Sequence, residues 1–407
     1  VEEKMTITKT YDVVVVGAGP VGSVLALSLA NAGMRVAVVE KLSKDKVLSS
    51  TQDIRAYALS SATIDFLTAI QVWPKVSKDS APIHKIQISS GDSPSVVTFE
   101  TPSDLKLAHP SMGAILPAFK MRQACFSEVI ATEMIDVYHG VSVASLQHQS
   151  DKRAYLTLSN GTVLVSHLLV GADGHSSMIR EKAGIDFIEH QYDQKALITV
   201  IDHQKNHEGM AYEKFYASGP FATLPMQGNQ SGIVWIGQAQ EIEALLSLEE
   251  SLFKELVQER YPSVGEITKV GSKYQYPLTL KFSNSVYNNR VVLVGDAAHA
   301  IHPLAGQSLN LGFRDVMMLV ETLKPIYNLG LDIGHETALA HYQQSRRFDT
   351  LELIATTHGL NHLFSNENPL LKTLRKVGLR AFSKIPGGAS YATRHAMGQT
   401  GYRAIET

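Results

Sequence analysis

An α/β fold of two interleaved domains, closed by a helical C-terminal extension, is what the sequence predicts. Three observations predict it. First, apolar runs of strand type at three distant places are each stopped by glycines and small residues: VVVVGAGPVG at 13–22, LVGADGHSSMIR at 169–180 and VLVGDAAHAIHPLAGQSLNLG at 292–312. Such runs read as buried strands whose carboxyl ends deliver backbone to a ligand. Second, residues 192–280 read as strand-like runs rich in Tyr, Phe and Trp, whereas the chain after 308 reads as helix almost to its end. Third, 407 residues exceed one typical core.

The first run is followed by Gly17, Gly19, Pro20 and Gly22, then by an apolar helical pattern through Leu25, Leu27 and Leu29, then by a second strand that ends at Glu40. In a βαβ unit the first glycine makes the tight turn, the second lets backbone approach a pyrophosphate, and the third packs helix on strand. The amide end of the helix meets the phosphates. Glu40, eighteen residues past Gly22, falls where a carboxylate accepts hydrogen bonds from a ribose. The domain is therefore Rossmann-like, its ligand a dinucleotide, and FAD the expected one.

Further on, a helix is expected over 56–71, with Pro74 and Pro82 breaking the pattern. Residues 83–100 alternate like strands around a turn at Gly91-Asp92-Ser93-Pro94, which marks departure into a sheet-rich domain. Another helix fits 119–134, and strands fit 137–147, 153–158 and 162–170, with Asn160-Gly161 as a hairpin turn. One helix, 248–260, begins behind Ser247. The expected boundaries are a discontinuous nucleotide-binding domain (1–75, 110–185 and 281–350), a β-sheet substrate domain (76–109 and 186–280) and a helical extension (351–407).

Composition bounds the function. A net charge of −2 argues against a nucleic-acid binder. No apolar run reaches the roughly 18 residues that span a bilayer, and the first residues lack a signal-type apolar stretch, so a cytoplasmic location is expected. Cys125, the single cysteine, excludes an internal disulfide and reads as a buried small hydrophobe. His299 and His302 flank the last glycine-rich segment, but no further metal-ligand pattern accompanies them, and packing is expected for both.

In the second segment Asp173 can hold a cation or a donor, while Arg180 can meet a phosphate or fix Asp173; a structural Asp–Gly turn is the plainer reading. In the third, Gly295-Asp296 ends a strand and Gly306-Gln307-Ser308-Leu309-Asn310 opens a helix. Asp296 is placed to accept from ligand hydroxyls, and the free amides at 306–310 to stabilise negative charge on an electron-rich ring. The set GxGxxG, GADGxxSxxR and GDAAHxxxPxxGQxxNxG resembles the para-hydroxybenzoate-hydroxylase type of flavin monooxygenase. AHAIHPLAGQSLNLGFRDVMMLVETL with the late RHAMG is similar to the ubiquinone-biosynthesis hydroxylases within that group.

The resemblance implies FAD as cofactor, NAD(P)H as reductant, and contacts to the ribityl chain and flavin ring from Asp296, Pro303 and Gly306. It places Pro303, Gly306 and Gln307 in the flavin environment where oxygen transfer occurs, with no side-chain base assigned. Arg55 resembles the family's arginine near the phosphates and flavin, and Arg122 is counted with it among the cofactor-binding candidates. Ser308 stands where the family usually carries glycine. The partners implied are O2 and a hydrophobic aromatic substrate of polyprenylphenol type, in a site that must exclude water. Tyr212, Phe215, Tyr216, Phe221, Leu224, Pro225, Met226 and Trp235 supply apolar material either for such a wall or for an ordinary sheet core.

Residues 368–407 carry seven Lys/Arg against Glu406 alone. A helix with Leu370, Leu371, Leu374, Val377 and Phe382 on one face could lie on anionic lipid, or pack on the flavin domain, a second copy or a biosynthetic complex. Three other functions compete. A flavin halogenase lacks support, since its WxWxIP signature is absent around Trp235. A prenyl reductase would keep the first motif and not consume O2, and a non-catalytic flavoprotein scaffold is opposed by the intact helix entry at 306–312.

Overall fold

The computed structural model describes residues 8–91, 96–101, 111–148, 152–301, 306–364, 393–394 and 397–398. Its first sheet has eight strands, with Val291–Leu293, Val163–Gly171, Thr8–Val16, Val36–Glu40 and Ile135–His139 side by side and parallel. Val13, Val14 and Val15 are fully buried, as continuous apolar runs are when a parallel sheet is covered on both faces. On one face lie three helices, Pro20–Asn31, Ala118–Ala131 and Ser308–Asn328, of which the first packs on the other two. On the other face the hairpin Val143–His148/Ala154–Leu158 joins Val163–Gly171, and Leu156 and Leu158 pack with Val14 and Leu169.

The second sheet has nine strands and draws them from 85–100 and 187–300. Phe187–His203 is its long central strand, paired with Gln230–Gln238 on one side and Tyr274–Ser283 on the other. Gly219–Pro225, Met210–Tyr216, Lys85–Ser90 and Val96–Glu100 continue it outward. A third, small sheet, Ala56–Ser60, Gly113–Pro117 and Ala81–Ile83, lies between the two.

Four expectations are corrected. Residues 56–71 are not one helix: Ala56–Ser60 is a strand, and the helix is Ser61–Ala69. Pairing with Gly113–Pro117 satisfies the backbone of Ala-Tyr-Ala-Leu-Ser, and the Ser60 hydroxyl caps the helix by accepting from Thr63 N at 3.3 Å. The sheet region holds two helices: Ala239–Ser247 precedes Glu250–Arg260, and the latter starts behind Glu249 rather than Ser247. Residues 137–147 form two strands, Ile135–His139 and Val143–His148, turned by Gly140 at φ +71°. The helix expected to 134 stops at Ala131. Cys125 is buried as expected, and burial pushes its thiol up to about 12.

Candidate functional site

The three glycine segments meet. Val16 lies beside Gly171, and Gly171 beside Leu293, so the three strands end in register. Backbone bonds lock the turns that follow: Gly17 N donates to Val39 O (2.8 Å), Ala172 N to Val16 O (2.8 Å) and Val294 N to Gly171 O (3.0 Å). The fit leaves no room for side chains. A Cβ on Gly17, whose φ is +105°, would stand 2.4 Å from Ala172 O, and one on Gly22 would stand 2.0 Å from Gly17 O. Val21 reaches across to the third segment, where Cβ atoms on Gly295 and Gly312 would meet its methyl groups at 3.2 Å and 2.8 Å.

Gly19 differs from these. It precedes Pro20, the first residue of the helix, and a Cβ there would meet nothing within 4 Å. This open concavity at a helix amide end is the shape a pyrophosphate needs. Glu40 is held beside it, accepting from Ala18 N (2.9 Å) and Leu42 N (2.8 Å). Arg122, on helix Ala118–Ala131, has its Nε and one terminal nitrogen buried and without a hydrogen-bond partner among the described residues. Two unspent guanidinium donors near the cluster of Asp53, Arg55 and Tyr57 suit an anionic ligand.

Arg55 forms a two-pronged pair with Asp53 (2.8 and 2.7 Å) and lies over the Tyr276 ring at 5.7 Å. Burial opposes ionisation of Asp53, but the hydrogen bonds and charge of Arg55 prevail and hold its carboxyl below the usual range. Arg55 also acts electrostatically on Asp296, together with His299 and His175. Asp296 stands at a solvent-exposed position just past the third strand, and desolvation by the surrounding protein raises its carboxyl above the ordinary range. Tyr57 has its phenol pushed up to about 12 by burial.

Asp173 serves the fold: it accepts from Ser177 Oγ (2.5 Å), Met178 N (2.8 Å) and Ile179 N (3.1 Å) and so fixes the start of helix Met178–Lys182. Arg180 is buried, makes no hydrogen bond to Asp173, and donates to Ala297 O (2.8 Å) and His175 O (3.1 Å), tying the second segment to the third. Asn310 is spent on the small sheet, donating to Ala58 O (2.8 Å) and accepting from Ser60 N (3.0 Å) and Thr63 Oγ1 (2.8 Å). Gly306, at φ +59°, approaches Ala58, where an added Cβ would be 3.3 Å from the alanine methyl. Gln307 precedes the helix, and Ser308 and Leu309 form its first turn, half-buried. Pro303 and His302 lie outside the described residues, as does most of 368–407.

Behind Asp296 runs an ionic network that the sequence reading did not find. Asp315 accepts from His299 Nε2 (2.7 Å), Gly295 N (2.9 Å) and Arg346 Nε (2.8 Å), and Arg346 and Arg314 both reach Asp349. Burial opposes the charge on His299, but the adjacent Asp315 overcomes it and holds the imidazolium above its ordinary range. Asp315 is held low, because His299 and Arg346 outweigh its own desolvation. Helical spacing of Asp315 to the glycine-rich entry was the one available signal.

Between the small sheet and the second sheet lies an apolar cluster. Ala56, Ala58 and Ile115 pack in it with Ala211, Leu224 and Val200. The aromatic and apolar set expected to wall a substrate site divides by strand alternation: Phe221, Trp235 and Tyr216 pack on the opposite face with helices Ala239–Ser247 and Glu250–Arg260, while Leu224 and Met226 pack in this cluster. Met397, from the late RHAMG segment, is buried in the same cluster and accepts from Ala62 N at 3.2 Å. A polar groove of about 730 Å³, lined by Lys152, Arg153, Asn288 and His335, shares no lining residue with this cluster.

Among the described residues there is no cluster of metal-ligand type and no helix long and apolar enough to cross a membrane. The family model described as FAD binding domain matches residues 10–350. The chain is 35% identical over 391 residues to the ubiquinone hydroxylase UbiL of Rhodospirillum rubrum, covering 96% of this chain and 90% of the relative. It is 30% identical to the 3-demethoxyubiquinol 3-hydroxylase of Escherichia coli, covering 95% and 98%. The fold is shared with the crystal structure of p-nitrophenol 4-monooxygenase PnpA from Pseudomonas putida (TM-score 0.79, 19% identity, 97% and 100% covered).

Proposed function

The chain belongs to the FAD-binding-domain family and is an FAD-dependent monooxygenase, and on that premise we propose that it hydroxylates the aromatic ring of a polyprenylphenol-type intermediate of ubiquinone biosynthesis, with NAD(P)H as reductant. Bound FAD supplies the redox chemistry, taking electrons from the nicotinamide and delivering them to O2. The protein's share is placement and exclusion of water. The Gly17–Gly22 turn and Arg122 would hold the phosphates, Glu40 the ribose, and Asp296 the ribityl hydroxyls. The helix entry at Gly306, Gln307, Ser308, Leu309 and Asn310, with Pro303, would meet the flavin ring, with Arg55 at its rim. Asp173 supports the site by fixing the turn of the second segment, and Arg180 by tying that segment to the third.

The observation that carries the substrate reading is the apolar cluster that meets the Gly306 turn through Ala58. A prenylated ring gains by leaving water for such apolar surface, at ~25 cal/mol per Å2. Supporting it is the similarity to ubiquinone hydroxylases over nearly the whole chain. The test is O2 uptake by the FAD-loaded protein with NADH or NADPH and a short-tailed 2-prenylphenol, followed by mass spectrometry for a product with one added oxygen. Nicotinamide oxidation that never yields an oxygenated ring would refute the reading. The basic 368–407 segment would bring the enzyme to anionic lipid, and alone or with a second copy it would meet its substrate there. Cosedimentation with anionic phospholipid vesicles that is unchanged by removing 368–407 would end that part.

A further inference from the structure

Strand Tyr274–Ser283 of the second sheet touches the residues gathered around the glycine segments at three places. At Tyr276 the ring carries the Arg55 guanidinium over its face, 5.7 Å from the ring centre. At Thr279 the hydroxyl is hydrogen-bonded to His175 Nε2 of the second segment, at 2.8 Å. Lys281 and Phe282 pair with Ala300 and His299 of the third segment. From 276 to 282 an extended strand spans roughly 20 Å. One strand of the second sheet thus reaches Arg55, the second segment and the third, and Tyr276 is its contact with Arg55.

Arg55 needs such a support. It lies just before strand Ala56–Ser60, and its two-pronged partner Asp53, at 2.8 and 2.7 Å, is only two residues away in the same loop. The side chains of this pair are 45% and 22% exposed. An ion pair made within one loop fixes two side chains to each other and leaves open where the pair points. Ala118 N donates to Arg55 O at 2.8 Å and so ties down the backbone, again without directing the guanidinium. The Tyr276 ring supplies the direction, because the electron-rich face of an aromatic ring attracts a planar cation laid over it. That ring is itself well founded: Tyr276 pairs with Ala196, Ala196 pairs with Ile236, and Ala196, Ile236 and Leu278 form a buried cluster.

The geometry points to Tyr276 as a positioning residue of the cofactor site, whose ring holds the Arg55 guanidinium in the direction from which it meets bound FAD. This rests on the reading above that Arg55 stands at the rim of the flavin, and it gives the second sheet a part in holding the cofactor. The attraction is to the ring face and not to the hydroxyl, so phenylalanine keeps it and an aliphatic side chain does not. Burial raises the Tyr276 phenol above its ordinary range, so the ring stays uncharged at neutral pH.

The test titrates FAD into the FAD-free full chain, with affinity read from flavin fluorescence and folding of each variant checked by thermal melting before FAD is added. Tyr276→Leu should bind FAD roughly 2- to 30-fold more weakly, the size of a cation–π contact. Tyr276→Phe should bind like the wild type. Arg55→Met should also bind more weakly, and adding Tyr276→Leu to it should cause no further loss, because the ring acts through the guanidinium. If the Leu protein does not fold, Tyr276→Met, which fills the place without a ring, takes its part in both comparisons. A Tyr276→Leu protein with wild-type affinity, or a Phe variant as weak as the Leu variant, overturns the role assigned to Tyr276. So does a loss that is as large in the Arg55→Met background as in the wild type. Wild-type affinity in Arg55→Met itself overturns the placement of Arg55 on the cofactor.

Discussion

Replacing Gly19 and Gly17 by alanine separates cofactor binding from folding. Gly19 has φ −66° and ψ 175°, which any L-residue adopts, and its added Cβ meets no atom within 4 Å. Without FAD the Gly19→Ala protein should be as stable as the wild type or gain about 0.4–1 kcal/mol, because the unfolded chain loses freedom. In its complex the methyl group occupies the concavity that the pyrophosphate needs. An overpacking cost of about 1–3 kcal/mol corresponds to roughly 5- to 150-fold weaker FAD binding. Gly17→Ala is the opposite case. Its φ of +105° costs about 1–3 kcal/mol for a non-glycine residue. The Cβ also stands 2.4 Å from Ala172 O and 2.7 Å from its carbonyl carbon. That backbone is fixed by the Val16–Gly171 register and cannot retreat. Together these amount to about 3 kcal/mol or more, visible as a melting temperature lower by about 5 °C in FAD-free protein. The assays are thermal melting without cofactor and fluorescence titration with FAD. A Gly19→Ala protein that binds FAD with wild-type affinity would show that phosphate does not approach that glycine.

Arg122→Met should weaken FAD binding while leaving FAD-free stability level or higher, since the change removes two buried, unpartnered guanidinium nitrogens and keeps the apolar stem. A parallel fall in both quantities would assign Arg122 to the fold alone. Asp315→Asn should destabilise by about 3–5 kcal/mol, because it strands buried His299 and Arg346. The wild-type network also has a pH window. Asp315 is held low, so its contribution is present above the ordinary carboxylate range near 4 and is lost as pH falls through its lower folded value. His299 is held high, so its contribution is full below about 6.5 and is lost as pH rises through its higher folded value. Denaturant midpoints across pH should show wild type losing its advantage over Asp315→Asn on both flanks; a constant difference would exclude the ionic account.

The local pattern of the sequence determined the nucleotide-binding half. Residues 13–22, 169–180 and 292–312 announced themselves because a buried parallel strand is apolar throughout and a close backbone approach admits only glycine, so Gly17, Gly22 and Gly312 carry their reason in their own residue type. Residues 56–60 were misread because a short segment of alanine, leucine and tyrosine suits helix or strand alike, and only pairing with 113–117, over fifty residues away, chose between them. The sequence could not divide Phe221 and Trp235 from Leu224, since which face of a sheet meets two helices and which meets the small sheet is settled by packing. It likewise offered Asp173, Arg180 and Asn310 as ligand contacts, whereas Asp173 is engaged by the helix start within its own segment and Arg180 and Asn310 by partners in other segments. Chemistry written in residue type and near spacing was fixed by the chain alone; which polar groups remain unspent, as at Arg122, was decided by tertiary structure, because that depends on what distant segments bring alongside them.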